Sequence, residues 1–229
     1  MDINAMAETY QLLRDAYYGD GQFKDGGALV RHARESSENY AKRKKLAYYL
    51  NYTGPIVNAS VDPIFRNEIK REYNDTAKFK VFLGDSDRTG ADLQNYIRRL
   101  AVMAKLYGVV YVIVNNETEI GETVQDSLNK RALPYLAHVL PAEVTHWRFD
   151  ERGRMVEFGY KSSVKDSEDK TKTRYYTWTE TNWAVADENM QIIRQGEHGL
   201  GRLPVVQWFG RSNDPMEALP PPEFLSVAQ

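Results

Sequence analysis

The chain of 229 residues contains no cysteine. Disulfide scaffolds, cysteine-ligated zinc or iron–sulfur sites and thiol nucleophiles are therefore excluded. A long hydrophobic run is also missing, because the longest, Val109 to Val114, is far shorter than the roughly 20 residues that a membrane-spanning helix needs. The N-terminal residues have neither the basic nor the apolar stretch of a secretory signal. We therefore expect a soluble chain with no membrane partner, held together by its apolar core.

An excess of charge of one sign is missing as well. Thirty Lys and Arg oppose 32 Asp and Glu, for a net charge of −2, which removes any overall electrostatic case for nucleic acid as a partner. Aromatic residues, in contrast, make up 12% of the chain. Because disordered chains have few aromatics, this composition predicts a folded chain rich in strands. At roughly 100 to 200 residues per domain, the length allows one large domain or two small ones.

The N-terminal third has helical periodicity. Helices are predicted over Ile3 to Tyr18, from Ser36 or Ser37 to about Tyr49, and from Pro55 onward, where proline takes the first helical position. Residues 19–28 contain four glycines, which predicts a loop. Pro63 is expected to kink or split the third helix.

The clearest unit runs from Asp85 to Asn115. Thr89 or Asp92 caps a helix whose apolar residues recur at intervals of three and four as far as Tyr107. Gly108 ends this helix, and the β-branched run that follows it is typical of a central strand. A helix that leads directly into a buried strand predicts a sheet with helices on one face.

The remainder is strand-like and divided by turns, after a polar stretch at 116–131 that reads as a loop or short helix. Strands are predicted at 134–140, 144–149, 156–160, 175–179, 183–186, 190–193 and 203–209. Pro204 places the last strand at a sheet edge, and the charged stretch 161–172 reads as a mobile connection. The whole pattern predicts an α+β fold, in which N-terminal helices precede a helix packed on a mostly antiparallel sheet or meander.

No catalytic, cofactor or metal site is predicted. The glycine-rich loop lacks the Gly-Lys-Ser/Thr ending of a phosphate-binding loop, and no Gly-x-Ser-x-Gly is present. Asp85 to Gly90 resembles the front half of a calcium loop, but Tyr96 stands where the bidentate Glu should be, so a turn with a helix cap is favoured. The four histidines show no metal-ligand spacing; they are His32, His138, His146 and His198.

Two features are candidates for nucleic-acid contact. The first is a dense basic run formed by Lys42, Arg43, Lys44 and Lys45. Glu35 and Glu38 lie about one turn upstream of this run, which favours a solvated, self-neutralised face. Arg98 and Arg99 have the same status. The second is the alternation of basic and aromatic residues over Arg174 to Trp178, which could stack single-stranded bases. Cross-strand aromatic pairing is the simpler interpretation.

Two stretches carry a family resemblance. Gly84 to Leu93, followed by Leu106 to Val114, resembles tailed-bacteriophage portal proteins, in which a capped helix runs into an L-Y-G-x-x-Y-V-x-V strand. Residues 134–136, 141–148, the turn at 150–153 and residues 200–206 are similar to the meander that follows in that family. The resemblance covers roughly residues 30–225, and it rests on the order and spacing of motifs that are individually weak.

The resemblance implies a structural subunit of a closed ring, commonly a dodecamer, at the capsid vertex through which DNA is packaged and ejected. It implies as partners the terminase large subunit, head-completion or adaptor proteins, capsid and scaffolding proteins, and double-stranded DNA in the channel. The implied location is the portal vertex of the virion, after assembly in the bacterial cytoplasm. ATP hydrolysis belongs to the terminase, so no enzyme activity is expected. The family offers no catalytic or DNA-contacting residue that can be transferred to this chain.

The expected organisation is an N-terminal helical region at 1–83, a wing-like α+β domain at 84–219, and the start of a helix at 220–229. Because Pro220 to Pro222 opens an apolar helix without a body, we expect these last residues to begin a stem that continues in a longer chain. The alternative function is a nucleic-acid-binding adaptor that uses the basic helix and the aromatic strand at 175–178. The third candidate function is an enzyme whose active site is formed by residues dispersed in the sequence.

Overall fold

The computed structural model describes residues 3–73, 77–116, 123, 133–165 and 169–228. Its helices are α1 (Ile3–Tyr18), α2 (Ser37–Leu46), α3 (Thr53–Val61), α4 (Ala77–Gly84), α5 (Leu93–Tyr107) and α6 (Leu225–Ala228). Its strands are β1 (Val109–Asn115), β2 (Tyr135–Val139), β3 (Val144–Phe149), β4 (Met155–Lys165), β5 (Thr171–Thr179), β6 (Asn182–Ala186), β7 (Ile192–Glu197) and β8 (Val205–Phe209). Two 3-10 turns lie at Gly21–Gly26 and Pro141–Glu143.

The predicted helix–strand unit is confirmed. Of the two proposed caps, Asp92 is the one used, and its carboxylate accepts a hydrogen bond from the backbone N–H of Asn95 at 2.8 Å. Gly108 joins α5 to β1 with a φ of +90°. A Cβ at this position would lie 3.0 Å from the carbonyl oxygen of Pro220, so both the backbone conformation and the close approach require glycine.

The strands form two antiparallel sheets. The first has three strands in the order β2-β1-β8, with β1 in the centre, and the second is a five-stranded meander in the order β3-β4-β5-β6-β7. The edge position predicted for the strand after Pro204 is therefore correct. The sequence had indicated one sheet or meander, and it did not show that β1 belongs to a separate sheet.

Both faces of β1 are covered. On one face, Val110 and Val112 pack against Tyr96, Leu100 and Ala104 of α5, as the pattern predicted. On the other face, residues of β1 pack against the meander. The Tyr111 and Phe158 rings meet there with centroids 4.6 Å apart. This interface between the two sheets is the centre of the core.

The N-terminal helices pack at the C-terminal end of α5. Their shared cluster includes Leu13 of α1, Val57 of α3, Tyr107 of α5 and Ala228 of α6. The segment before α6 is attached to β1, because the Ala218 carbonyl accepts a hydrogen bond from the buried Tyr111 hydroxyl. The proposed boundaries at 84 and 219 stay predictions.

Two helix predictions in this region need correction. The second helix ends at Leu46 and not near Tyr49, because the Tyr49 ring stacks on Phe23 with centroids 4.4 Å apart, and the chain runs extended from Ala47. The third helix begins at Thr53, two residues before Pro55, and ends at Val61 before reaching Pro63. Pro63 therefore follows the helix and does not kink it. The sequence reading placed no separate helix at α4.

Two strand predictions were also wrong. The charged stretch 161–172 was expected to be a connection, but β4 runs to Lys165 and β5 begins at Thr171, so most of it is a paired ribbon. Apart from Val164, the exposed side chains of its described residues are polar, which hides the alternation of a strand. The strand expected at 190–193 lies at 192–197 instead, because Asp187 accepts hydrogen bonds from the N–H groups of Asn189 and Gln191 and builds a turn. The loop or short helix expected at 116–131 lies outside the described residues except for residues 116 and 123.

Candidate nucleic-acid interface and surface sites

The basic run lies on α2, a helix that buries none of its residues. Ser36 caps it by accepting a hydrogen bond from the backbone N–H of Asn39 at 3.2 Å. Because α2 has no face in the core, its charged residues surround the helix. The structure therefore presents the run Lys42 to Lys45 around the helix axis, without a single basic stripe.

Two of the four cations are engaged by acidic neighbours. The Arg43 guanidinium donates to both carboxylate oxygens of Glu35, at 2.9 and 2.8 Å, and also to the carbonyl of Val30. The hydrogen bonds from Arg43 hold the pKa of the Glu35 carboxyl below its usual value. Lys42 pairs with Glu38 at 2.8 Å. The expected self-neutralisation is thus present, and it leaves Lys44 and Lys45 as exposed cations without an ion pair among the described residues.

The aromatic strand is occupied by packing. Tyr176 of β5 stacks on Tyr160 of β4 with centroids 4.8 Å apart and planes at 6°. Trp178 is buried and lies beside Trp183 and the ring of His198. The interpretation as cross-strand aromatic pairing is confirmed, and a buried Trp178 offers no open face to a nucleic-acid base.

The acidic stretch at 85–90 forms a turn ahead of α5, which Asp92 caps. Asp85 accepts from the N–H of Gly90 at 2.8 Å, and Asp87 accepts from Thr89 at 2.9 Å. Burial raises the pKa of Asp87, but hydrogen bonds from Thr89, Arg99 and the backbone outweigh it and leave the pKa below its usual value. These carboxylates are used by the turn itself.

The two arginines of α5 are ion-paired. Arg98 contacts Asp62 at 2.6 Å, and Arg99 contacts Asp87 at 2.5 Å. Both pairs join α5 to the segments that precede it in the chain. These ion pairs therefore help to fix α5 in place. They agree with the prediction that Arg98 and Arg99 belong to a solvated face neutralised by acidic neighbours.

The histidines lie in separate environments. The His198 ring approaches the carbonyl oxygen of Thr179 at 3.0 Å, and His146 lies 3.5 Å from Glu157. Burial lowers the pKa of His138, whose ring packs edge-on against Tyr96. Over the described ranges, no three His, Asp or Glu side chains are grouped closely enough to hold a metal ion.

The buried titratable groups fit packing roles. Burial raises the pKa of Tyr107 to about 12 and raises that of Tyr10 and Tyr111 further. Burial also raises the pKa of Glu143, whose carboxylate accepts a hydrogen bond from the Leu140 N–H at 2.8 Å within a short turn.

Two exposed apolar surfaces were missed by the sequence reading. One covers the last residue of α2 and the stretch between α2 and α3, where the exposed residues are Leu46, Tyr48, Leu50 and Tyr52. The other is at the start of β7, with Met190, Ile192 and Ile193. The first could have been found from its alternation of large apolar residues, but the prediction of a helix as far as about Tyr49 concealed it.

The chain matches the sequence profile of a family described as phage portal protein, SPP1 Gp6-like, over residues 2–214. A search of curated proteins gave no match. Among the described helices, none combines the length and the apolar content needed to cross a bilayer.

Proposed function

Because the chain belongs to the SPP1 Gp6-like family of phage portal proteins, we propose that it is a subunit of the ring through which double-stranded DNA enters and leaves the capsid. The match over residues 2–214 is the observation that carries this proposal. It includes the helix–strand unit and the meander on which the resemblance rested. The family implies an oligomeric ring associated with the capsid.

The fold supports a structural role. Portal proteins are structural and not enzymatic, and ATP hydrolysis in DNA packaging then belongs to a separate terminase motor. The ionisable groups described above are used by turns, helix caps and ion pairs. A unit whose central strand β1 is covered on both faces, and whose charged helix α2 lies at the periphery, is suited to serve as one segment of a ring.

The proposed partners follow from this role. They are further copies of the chain, in a ring of twelve, the terminase large subunit, head-completion or adaptor proteins, capsid and scaffolding proteins, and double-stranded DNA in the channel. The proposed location is the portal vertex of the virion, with assembly in the bacterial host cytoplasm.

The test is the assembly state of the full-length protein. We expect electron microscopy and native mass measurement to show closed rings with an axial channel, in which the mass is an integral multiple of the subunit. A monomer that persists at high concentration would contradict the proposal. Incorporation of the protein at a single vertex of assembled capsids checks its location.

The adaptor function remains as the alternative, with Lys42, Arg43, Lys44 and Lys45 as the candidate nucleic-acid contact. The exposure of Lys44 and Lys45 favours it, whereas the Arg43–Glu35 pair and the buried Trp178 do not. Double replacement of Lys44 and Lys45 by Gln should reduce salt-dependent DNA binding by the monomer if the adaptor reading is right. The matched control is replacement of Lys161 and Lys172, which lie on the meander.

A further inference from the structure

The chain between α2 and α3 leaves α2 in an extended conformation at Ala47 and reaches α3 with Tyr52 in helical backbone geometry. Between these two residues, the exposure of the side chains alternates. Tyr48 is 80% exposed and Leu50 is 57% exposed, whereas the intervening Tyr49 is half-buried. Asn51 is half-buried as well, and Tyr52 is again exposed. A period of two with large apolar residues on one face is the pattern of a β-strand. We call residues 47–51 the free strand.

The inward side of the free strand is fixed to α1. The Tyr49 hydroxyl donates to the carbonyl of Ala16 at 3.1 Å, and the Asn51 amide donates to the carbonyl of Tyr17 at 2.7 Å. Asn51 also accepts from the N–H of Gly54 at the start of α3. Because these contacts already order the segment, little conformational entropy is left to lose when it binds a partner.

The backbone of the free strand is not paired in a sheet of the described residues. Among the described residues, no hydrogen bond reaches the N–H or C=O groups of residues 48–51. Backbone polar groups that do not bond within the chain bond to water or to another molecule. The segment therefore has the side-chain pattern of a strand, but no strand pairs with it in the described part of the chain.

β7, in contrast, belongs to a sheet but has one edge without a paired strand in the described part of the chain. It is the last strand of the meander and pairs with β6 only, so its outer edge is open in the described part of the chain. Ile192 is 61% exposed and Met190, which precedes the strand, is 67% exposed. An edge strand with exposed apolar residues is a template on which an extended segment can add.

The charges beside the two surfaces are complementary. Lys44 and Lys45 are exposed and come immediately before the free strand. Glu188 and Glu197 are exposed; Glu188 lies in the turn before β7, and Glu197 is the last residue of β7. Arg194 lies between them, but its guanidinium is placed over the Trp183 ring at 5.7 Å. These opposite charges favour contact between the free strand and the β7 edge. The like charges of the glutamates oppose pairing of two β7 edges.

We propose that the free strand of one subunit adds to the β7 edge of the next copy of this chain. The contact joins two different surfaces, so each subunit uses its free strand on one neighbour and its β7 edge on the other. Repetition of such a head-to-tail contact generates a ring when the rotation between copies closes. The inference rests on the ring of the proposed function, and it names the surfaces that hold neighbouring subunits together.

The absence of cysteine provides a direct test. Leu50→Cys is combined in turn with Ile192→Cys, Ile193→Cys and Arg194→Cys in the full chain, and the assembled protein is oxidised. A disulfide needs Cα atoms within about 7 Å, so at least one pair should give a ladder of covalent oligomers on denaturing gels. The control pair Leu50→Cys with Met216→Cys, which joins two exposed residues outside β7, should give none.

The outcomes separate the inference from the function. If the unmodified chain forms rings and none of the three pairs cross-links, the strand addition is wrong and the portal function stands. If the unmodified chain forms no ring, both are contradicted.

A second variant pair covers the case in which cysteine disturbs assembly. Ile192→Lys should abolish the ring while leaving the monomer folded, whereas Val164→Lys, at an exposed site of β4, should assemble normally. Rings that persist in both Ile192→Lys and Leu50→Lys would overturn the inference.

Discussion

β1 and β7 are both antiparallel strands that begin with two β-branched residues, yet their surroundings are opposite. The first five residues of β1 are buried, with α5 on one face and the meander on the other. In β7, five of six residues are exposed, and a strand pairs with it on one side only. One region of the fold is complete within a single chain, and the other presents the features of an interface.

The sharpest way to test this contrast is the same substitution in both strands. Ile113→Ala removes a side chain that is 1% exposed, and it should lower the free energy of unfolding by about 2 to 5 kcal/mol because a cavity forms between the sheets. Ile192→Ala should change it by less than about 0.5 kcal/mol in the monomer. Denaturant unfolding of both variants measures the difference, and equal losses would contradict the contrast.

Two buried tyrosines allow a finer comparison within the complete region. The Tyr111 hydroxyl donates to the Ala218 carbonyl, whereas the Tyr10 hydroxyl has no partner among the described residues. Tyr111→Phe should cost about 1 to 3 kcal/mol because it leaves a buried carbonyl unpaired. Tyr10→Phe should be neutral or stabilising. Thermal unfolding of both variants tests this, and a destabilised Tyr10→Phe would show that its hydroxyl has a partner.

Helix caps extend the comparison to α2 and α5. Asp92→Ala should lower the free energy of unfolding by about 1 kcal/mol, since α5 packs on the core through its buried face. Ser36→Ala should hardly change global unfolding because α2 buries nothing. Its effect should be faster amide exchange within α2. If both variants lose the same global stability, α2 is more strongly coupled to the core than its exposure indicates.

The smallest expected effect is the acid response of the turn before α5. Hydrogen bonds hold the pKa of Asp87 below its usual value in the folded state, so its contribution is present above about pH 4 and is lost as the pH falls through the folded pKa. Asp87→Asn should flatten the pH dependence of unfolding in this range. Arg99→Gln, which keeps the carboxyl and removes one donor, should flatten it less.

Local patterns predicted the complete region well. The α5–β1 unit is encoded by consecutive signals, which are an Asp cap, a helical stripe, Gly108 and an apolar run, and each acts over a few residues. Pairing into two sheets is a long-range property, because Ile113 and Val205 are neighbours although 92 positions separate them (205 minus 113). Sequence spacing does not report such a contact.

The surface sites were predicted only in part. Neutralisation of Arg43 by Glu35 was expected because the two residues lie close together in the chain. The first part of the free strand, as far as about Tyr49, was predicted to belong to the second helix. The Tyr49–Phe23 stack competes there with helical propensity, and that contact is tertiary. The exposure of β7 follows from its being last in the meander, which no single residue specifies.

The segment that follows Ala218 also has a mechanical consequence. Its Ala218 carbonyl is bound to Tyr111, its Pro220 lies against Gly108, and Glu223 pairs with Lys105 at 3.1 Å. Tension applied along this segment is therefore transmitted first to α5 and β1, which are joined by the single residue Gly108. We therefore expect a pulling force on this segment to tilt α5 and β1 together. The outer strands of the meander should carry little of that force.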